Sequence, residues 1–148
     1  MPTVTYDTNV FITRKPASFP AGFVMSAVVL QELAAGAVDS SELKKLASAH
    51  RAFQKENRLL VPSGDDWLQA GKVLNSLLRG LKSKRGGLTP KLPDSEKHRI
   101  ISDVLIAVTS KRAKAAVVTD NTKDFAKIQR YCDVKIIRTK DFFETRKS

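Results

Sequence analysis

Cysteine is almost missing from this chain. Cys132 stands alone and cannot form an intramolecular disulfide, and with only two histidines beside it there is no Cys/His cluster of the kind that holds zinc. A reducing, cytoplasmic setting is the expectation. Long hydrophobic runs are missing too: no stretch approaches the roughly 18–20 apolar residues that cross a bilayer, and no basic region followed by an apolar core opens the sequence. Neither export nor membrane insertion has a signal. There is no internal repeat and no low-complexity tail beyond Arg146–Ser148. Acid is the scarcer charge, 15 Asp and Glu against 26 Lys and Arg, giving a net charge of +11 and a pI of about 10.0. Such a surface favours a polyanionic partner through phosphate contacts and counterion release, although the same charge also serves plain solubility.

The 148 residues, 42% hydrophobic, suffice for one domain spanning 1–148 with a core that needs neither disulfide nor structural metal. Val4 and Tyr6 suit a first strand, and Val10–Ile12 can begin a short helix. Prolines and Gly22 make 15–22 a loop. Phe23–Met25 is a second strand, and Ser26 can cap a helix that starts near Ala27 and stops at Gly36. A longer helix runs from Ser40 or Ser41 to about Asn57, with Leu43, Leu46, Ala47 and Phe53, and Ala49 less well placed, in a helical repeat. Leu59–Val61 is a third strand. Asp65 or Asp66 opens a helix whose apolar face carries Trp67, Ala70, Val73, Leu74, Leu77 and Leu78, which makes Trp67 a core or dimer contact rather than a base-stacking platform.

From Arg79 to Arg99 the chain changes character. Glycines and prolines argue against a continuous helix over 79–93, and seven Lys/Arg against Asp94 and Glu96 leave a local excess of five positive charges. The expectation is a basic loop at about 79–99 that contacts substrate through Lys82, Lys84, Arg85, Lys91 and Arg99. A helix then runs from Asp94 or Ser95 towards Arg112. Ala115–Thr119 is the most strand-like segment after the first. A helix over 122–130, a strand over Val134–Ile137 and a last turn over Asp141–Thr145 complete the order. Strands alternating with helices call for an α/β fold, a parallel sheet with helices on both faces.

Against that background four acids stand in unusual places. Asp7 ends the first strand and Asp124 follows the end of the fourth, where an α/β sheet binds ligands. Glu32 and Asp103 interrupt otherwise apolar helical runs, where a charge needs a partner. Each has a bland explanation: a turn or helix cap for Asp7, Asp120 and Asp124, an ion pair for Glu32 and Asp103. Together they make a shared cation site the better explanation. Oxygen ligands without His or Cys select hard ions such as Mg²⁺ or Mn²⁺, which turn the mutual repulsion of the carboxylates into coordination.

At Tyr6–Ile12 (YDTNVFI), Ser26–Leu33 (SAVVLQEL), Ser102–Ala107 (SDVLIA) and Val118–Phe125 (VTDNTKDF) the sequence resembles the PIN-domain ribonucleases, especially the VapC-type toxins of prokaryotic toxin–antitoxin pairs. The four motifs occur in the family's order over most of the chain. The resemblance implies a three-layer α/β/α sandwich around a five-stranded parallel sheet, with Asp7, Glu32, Asp103 and Asp124 as the catalytic, metal-binding acids. Asp7 and Asp103 would bind the metal most directly, and Thr8, Asn9, Thr119 and Asn121 would support them. Asp120 is an extra acid where many relatives carry another residue, which leaves open whether it or Asp124 is the fourth ligand. The resemblance also implies a structured RNA substrate of the tRNA or rRNA class, a small antitoxin partner and a homodimer.

Two other functions fit parts of the sequence. A basic RNA-binding module on the same fold would use the charge and not the acids. An aspartyl-phosphate enzyme would use Asp7 as nucleophile, but Asn9 replaces the second acid a phosphatase needs, and Lys111 or Lys114 is a weak substitute for a receiver lysine.

Overall fold

The computed structural model describes residues 3–15, 18–84, 86 and 92–144, with the side chains of 82–84 excepted. Strand β1 is Thr3–Tyr6 and is followed by helix α1, Thr8–Thr13. Strand β2, Met25–Ser26, runs into α2, Ala27–Ala35, and α3 covers Ser40–Lys55. Strand β3 is Leu59–Leu60, α4 is Gly64–Lys84 and α5 is Asp94–Arg112. Strand β4, Ala115–Thr119, helix α6, Thr122–Gln129, strand β5, Ile136–Arg138, and helix α7, Thr139–Glu144, complete the chain.

All strand pairs are parallel. Strand β4 lies between β1 and β5, with Tyr6 opposite Val118 and Val118 opposite Ile137. Strands β2 and β3 form a separate pair in which Met25 faces Leu59. The expected five-stranded sheet is therefore a group of three beside a group of two. The Val24 N–H donates to the Val4 carbonyl at 3.0 Å across the join, but strands of two residues are too short to extend a ladder.

The sheet is covered on both faces, which makes the architecture α/β with helical layers above and below. Every residue of β4 is buried, as expected of a central parallel strand. Val117 joins the larger core with Val29, Val73, Val104, Ile106 and Phe125, while its neighbours Ala116 and Val118 join Val4, Tyr6, Phe142 and Phe143 on the other side. The few aromatics are concentrated there. Tyr6 has the rings of Phe11, Phe19, Phe23, Phe142 and Phe143 around it, at centroid distances of 4.9–5.9 Å. These contacts fix the end of β1, and Asp7 is the next residue.

Helix α4 departs from the sequence expectation in two ways. It continues past Arg79 to Lys84, so the first part of the expected basic loop is helical. Half-buried Leu77 and Leu81 give that last stretch an apolar face, and Gly80 fits because a Cβ there would lie 3.1 Å from the Tyr131 hydroxyl. Trp67 is not core: it is 58% exposed, and Leu68 is 63% exposed. Ala70 and Val73 of the expected face are buried, and Asp66 rather than Trp67 completes the buried stripe.

Asp66 belongs in that stripe because its amide and its Oδ2 are paired. Its Oδ2 accepts from the Ser63 amide at 2.9 Å while the Ser63 hydroxyl accepts from the Asp66 amide at 3.1 Å, a reciprocal cap at the start of α4. Arg112 Nε donates to the same oxygen at 2.7 Å and its Nη2 donates to the Val61 carbonyl at 3.1 Å, clasping the end of α5 to the start of α4. Burial raises the Asp66 pKa, but the bonds from Ser63 and Arg112 outweigh it and bring the carboxyl below 3.8. Asp66→Ala should cost about 2–3 kcal/mol, because Arg112 and the Ser63 amide lose their acceptor together. Because the folded pKa is depressed, the Asp66 contribution is present above 3.8 and is lost as pH falls through the folded value. Urea unfolding at pH 7 and pH 3 checks both statements: the variant's deficit should be large at the first and shrink at the second.

Candidate active site

Asp7 sits where β1 gives way to α1. Its amide donates to the Val118 carbonyl at 3.0 Å, which ties it to β4, and its extended backbone makes it the N-cap of α1. One carboxylate oxygen accepts from the Thr8 amide at 2.8 Å and the other from the Thr119 hydroxyl at 2.9 Å. Thr119 Oγ1 in turn accepts from the Asn121 amide at 2.9 Å, so its own proton is committed to Asp7. Asp7 therefore performs the bland capping role, yet it also lines a cavity.

Glu32 comes from the middle of α2. Ser26 caps that helix as expected, accepting from the Val29 amide at 3.4 Å, and this sets the phase that turns Glu32 towards α1. The Thr8 hydroxyl donates to its Oε1 at 2.8 Å. Asp103 opens the eight-residue stretch of α5 that is buried throughout, and is itself 5% exposed. Among the described residues it meets no hydrogen-bond donor and no ion-pair partner, and Glu32 likewise forms no ion pair. Among the described residues the ion-pair explanation therefore finds no partner for either acid.

These three acids line one cavity of about 450 Å³ together with Thr8, Asn9 and Asn121. Their electrostatics follow from that placement. The Asp7 pKa is raised, chiefly by burial, against the opposing bonds from Thr119 and Thr8 and with help from Asp120. The Glu32 pKa is raised by burial, opposed by Thr8 and reinforced by Asp7. Asp103 is pushed up to about 8, first by burial, then by the charges of Asp7, Glu32 and Asp124, with Arg99 pulling the other way. A buried carboxyl facing three others is costly unless something positive joins them.

The other expected residues divide. Asp124 is not part of the cavity lining. Asn121 Nδ2 donates to it at 2.9 Å and Lys127 lies 4.0 Å away, so it flanks the site and acts on Asp103 through charge. Asp120 is exposed and also outside the lining, close enough to raise the Asp7 pKa. Arg99 does line the cavity. Arg85 and Lys91 lie outside the described residues, as do the side chains of Lys82 and Lys84. Gln31, Ala35, Ser95, His98 and Ser102 complete the wall without having been expected there. Helical spacing could have found Ala35, three residues after Glu32 on α2, but not Gln31, His98 or Ser102.

The donor set fits a hard divalent cation: oxygen ligands alone, and a buried carboxyl that meets no donor among the described residues. Asp7, Asp103 and Glu32 are the residues that would hold it, with Asp124 beside them. The ligands are not closed around a point, for among the described residues no group of three His, Cys, Asp or Glu side chains is gathered tightly enough to hold a metal ion. Carboxylates of like charge keep their distance when nothing lies between them.

An α/β sheet with an acid at the end of its first strand, facing acids from two helices, is the arrangement that the PIN-domain resemblance implies. Solved structures bear out the fold. A chain of DNA-bound VapBC from Salmonella typhimurium superposes with a TM-score of 0.57 at 21% identity, over 94% of this chain and 99% of that one. A chain of VapBC-1 from nontypeable Haemophilus influenzae gives 0.57 and 21%, over 93% and 98%. The sequence itself matches no protein-family model and no curated protein.

Proposed function

We propose that the chain is a Mg²⁺- or Mn²⁺-dependent endoribonuclease that hydrolyses phosphodiester bonds of structured RNA, of the tRNA or rRNA class, as the toxin of a toxin–antitoxin pair. The observation that carries this is the meeting of Asp7, Glu32 and Asp103, from a strand end and two helices, in one cavity where Asp103 meets no hydrogen-bond donor among the described residues. A divalent cation bound there would supply a water of lowered pKa and neutralise charge on the phosphoryl group under attack.

The chain's own residues do the rest. Thr119 and the Thr8 amide hold the two oxygens of Asp7 in place, and the Thr8 hydroxyl turns Glu32 towards the same space. Asn121 orients Asp124 at the flank. Support of this kind around a ligand is worth about 10–100-fold in affinity or activity. The net charge of +11 draws the polyanion in, and Arg99 meets it at the cavity wall. The likeness to chains of VapBC complexes supports a small antitoxin partner, and a homodimeric toxin is part of the proposal only as the PIN-domain resemblance implies it. Among the described residues no helix is long and apolar enough to cross a membrane.

One observation favours a second reading, an RNA-binding module without turnover: the acids are not gathered into a ready cluster. Against it, a phosphate-binding groove gains nothing from buried carboxylates. Incubating the protein with purified tRNA and rRNA in Mn²⁺, and mapping the new ends, separates the two. The nuclease reading expects discrete cuts that vanish in EDTA; firm binding with no cut in any RNA would favour the module.

A further inference from the structure

The cavity wall carries two chemically different groups: the acids Asp7, Glu32 and Asp103, and, from the first turns of α5, Ser95, His98 and Arg99. Arg99 and His98 stand four and five residues before Asp103, about 6 and 7.5 Å along the helix axis, so they reach a group adjacent to the one the acids engage. Among the described residues no carboxylate pairs with Arg99 and no hydrogen bond occupies His98, which leaves a guanidinium and an imidazole free at the wall. The first turns of α5 are exposed, and a merely solvated face would also carry polar residues; what distinguishes these is that they converge on the same space as the acids.

The size of that space narrows its occupant. At about 450 Å³ it is in the range of a small-molecule pocket and has room for a single nucleotide. We propose that His98 and Arg99 form the recognition subsite for an unpaired nucleotide next to the scissile phosphate. Arg99 binds its phosphate, which positions the strand without reading sequence, and His98 stacks on its base, which requires the base to be splayed from any helix. The proposal rests on the nuclease reading and specifies the part of a structured RNA that enters the site.

Fluorescence anisotropy with a labelled single-stranded RNA decamer and with a blunt RNA duplex of the same sequence, both in EDTA so that nothing is cut, tests it. Arg99→Gln should weaken single-strand binding roughly tenfold and lower the salt slope by about one. His98→Ala should weaken single-strand binding about five- to tenfold, as loss of one stacking contact does, and leave the salt slope and the duplex affinity unchanged. His98→Phe should restore it, because a phenyl ring stacks and carries no charge. Wild-type-like binding by His98→Ala, equal losses on strand and duplex, or no rescue by His98→Phe would each overturn the subsite. Failure of the wild-type protein to bind the single strand would overturn the subsite, whereas the nuclease reading falls separately, on the absence of any cut in tRNA or rRNA with Mn²⁺ present.

Discussion

Asp103→Asn should make the metal-free protein more stable, by about 2–3 kcal/mol at pH 8, whereas most substitutions at buried positions destabilise. The reason lies in the direction of its titration. The Asp103 pKa rises from 3.8 in the unfolded chain to about 8 in the folded one, so between those values the folded state holds a proton the unfolded state has released. Stability therefore falls as pH rises through that window, and the full cost is reached above about 8. At about 1.4 kcal/mol per pH unit the interval sets a ceiling near 6 kcal/mol. Asp7 and Glu32 are raised as well and share the repulsion, so a smaller part of that belongs to Asp103 alone. Asn keeps the shape and removes the charge. In EDTA the variant should melt roughly 5–10 °C above wild type at pH 8 and nearly with it at pH 4.5. A variant less stable than wild type at both pH values would show that Asp103 is a paired structural acid.

The same substitution should abolish cleavage. Asp7→Asn and Asp103→Asn should each lower the initial rate on an RNA the wild type cuts by about 10³-fold or more, since each removes a charge that would engage the metal or the reacting phosphoryl group. Asp124→Asn should cost far less, about 10-fold to 100-fold, because Asp124 flanks the cavity and acts through Asn121 and through charge. The hierarchy is the informative part. Equal losses at Asp103 and Asp124 would place the fourth acid inside the working site. Rates within tenfold of wild type for Asp7→Asn would remove the nuclease reading.

Asp103→Asn thus joins greater stability to lost function, a trade expected where like charges are held together for a purpose. How much of this was legible beforehand depended on the kind of signal. The acids at Asp7, Glu32 and Asp103 were visible because each breaks a local rule, a charge at a strand end or within an apolar helical run. Strand β4 was visible because a fully buried parallel strand is a continuous apolar run. The division of the sheet was not, since two-residue strands such as Met25–Ser26 leave no periodicity to count. Trp67 lies outside the core because apolar residues occupy neighbouring faces of α4, and the contacts of Asp66 with Ser63 and Arg112 fix which face turns inward. His98 went unnoticed because a lone histidine in a basic stretch carries no pattern until the phase of α5 is known.

Calorimetric titration with Mn²⁺ at pH 7.5, of wild type beside Asp7→Asn and Asp103→Asn, tests the central claim most directly, because it needs no knowledge of the RNA. Binding by wild type at micromolar to millimolar concentration, lost in both variants, is the result expected if the three acids share one cation. Folded wild type that binds no more Mn²⁺ than the two variants would contradict it, leaving the acids structural and the RNA-binding module as the better account.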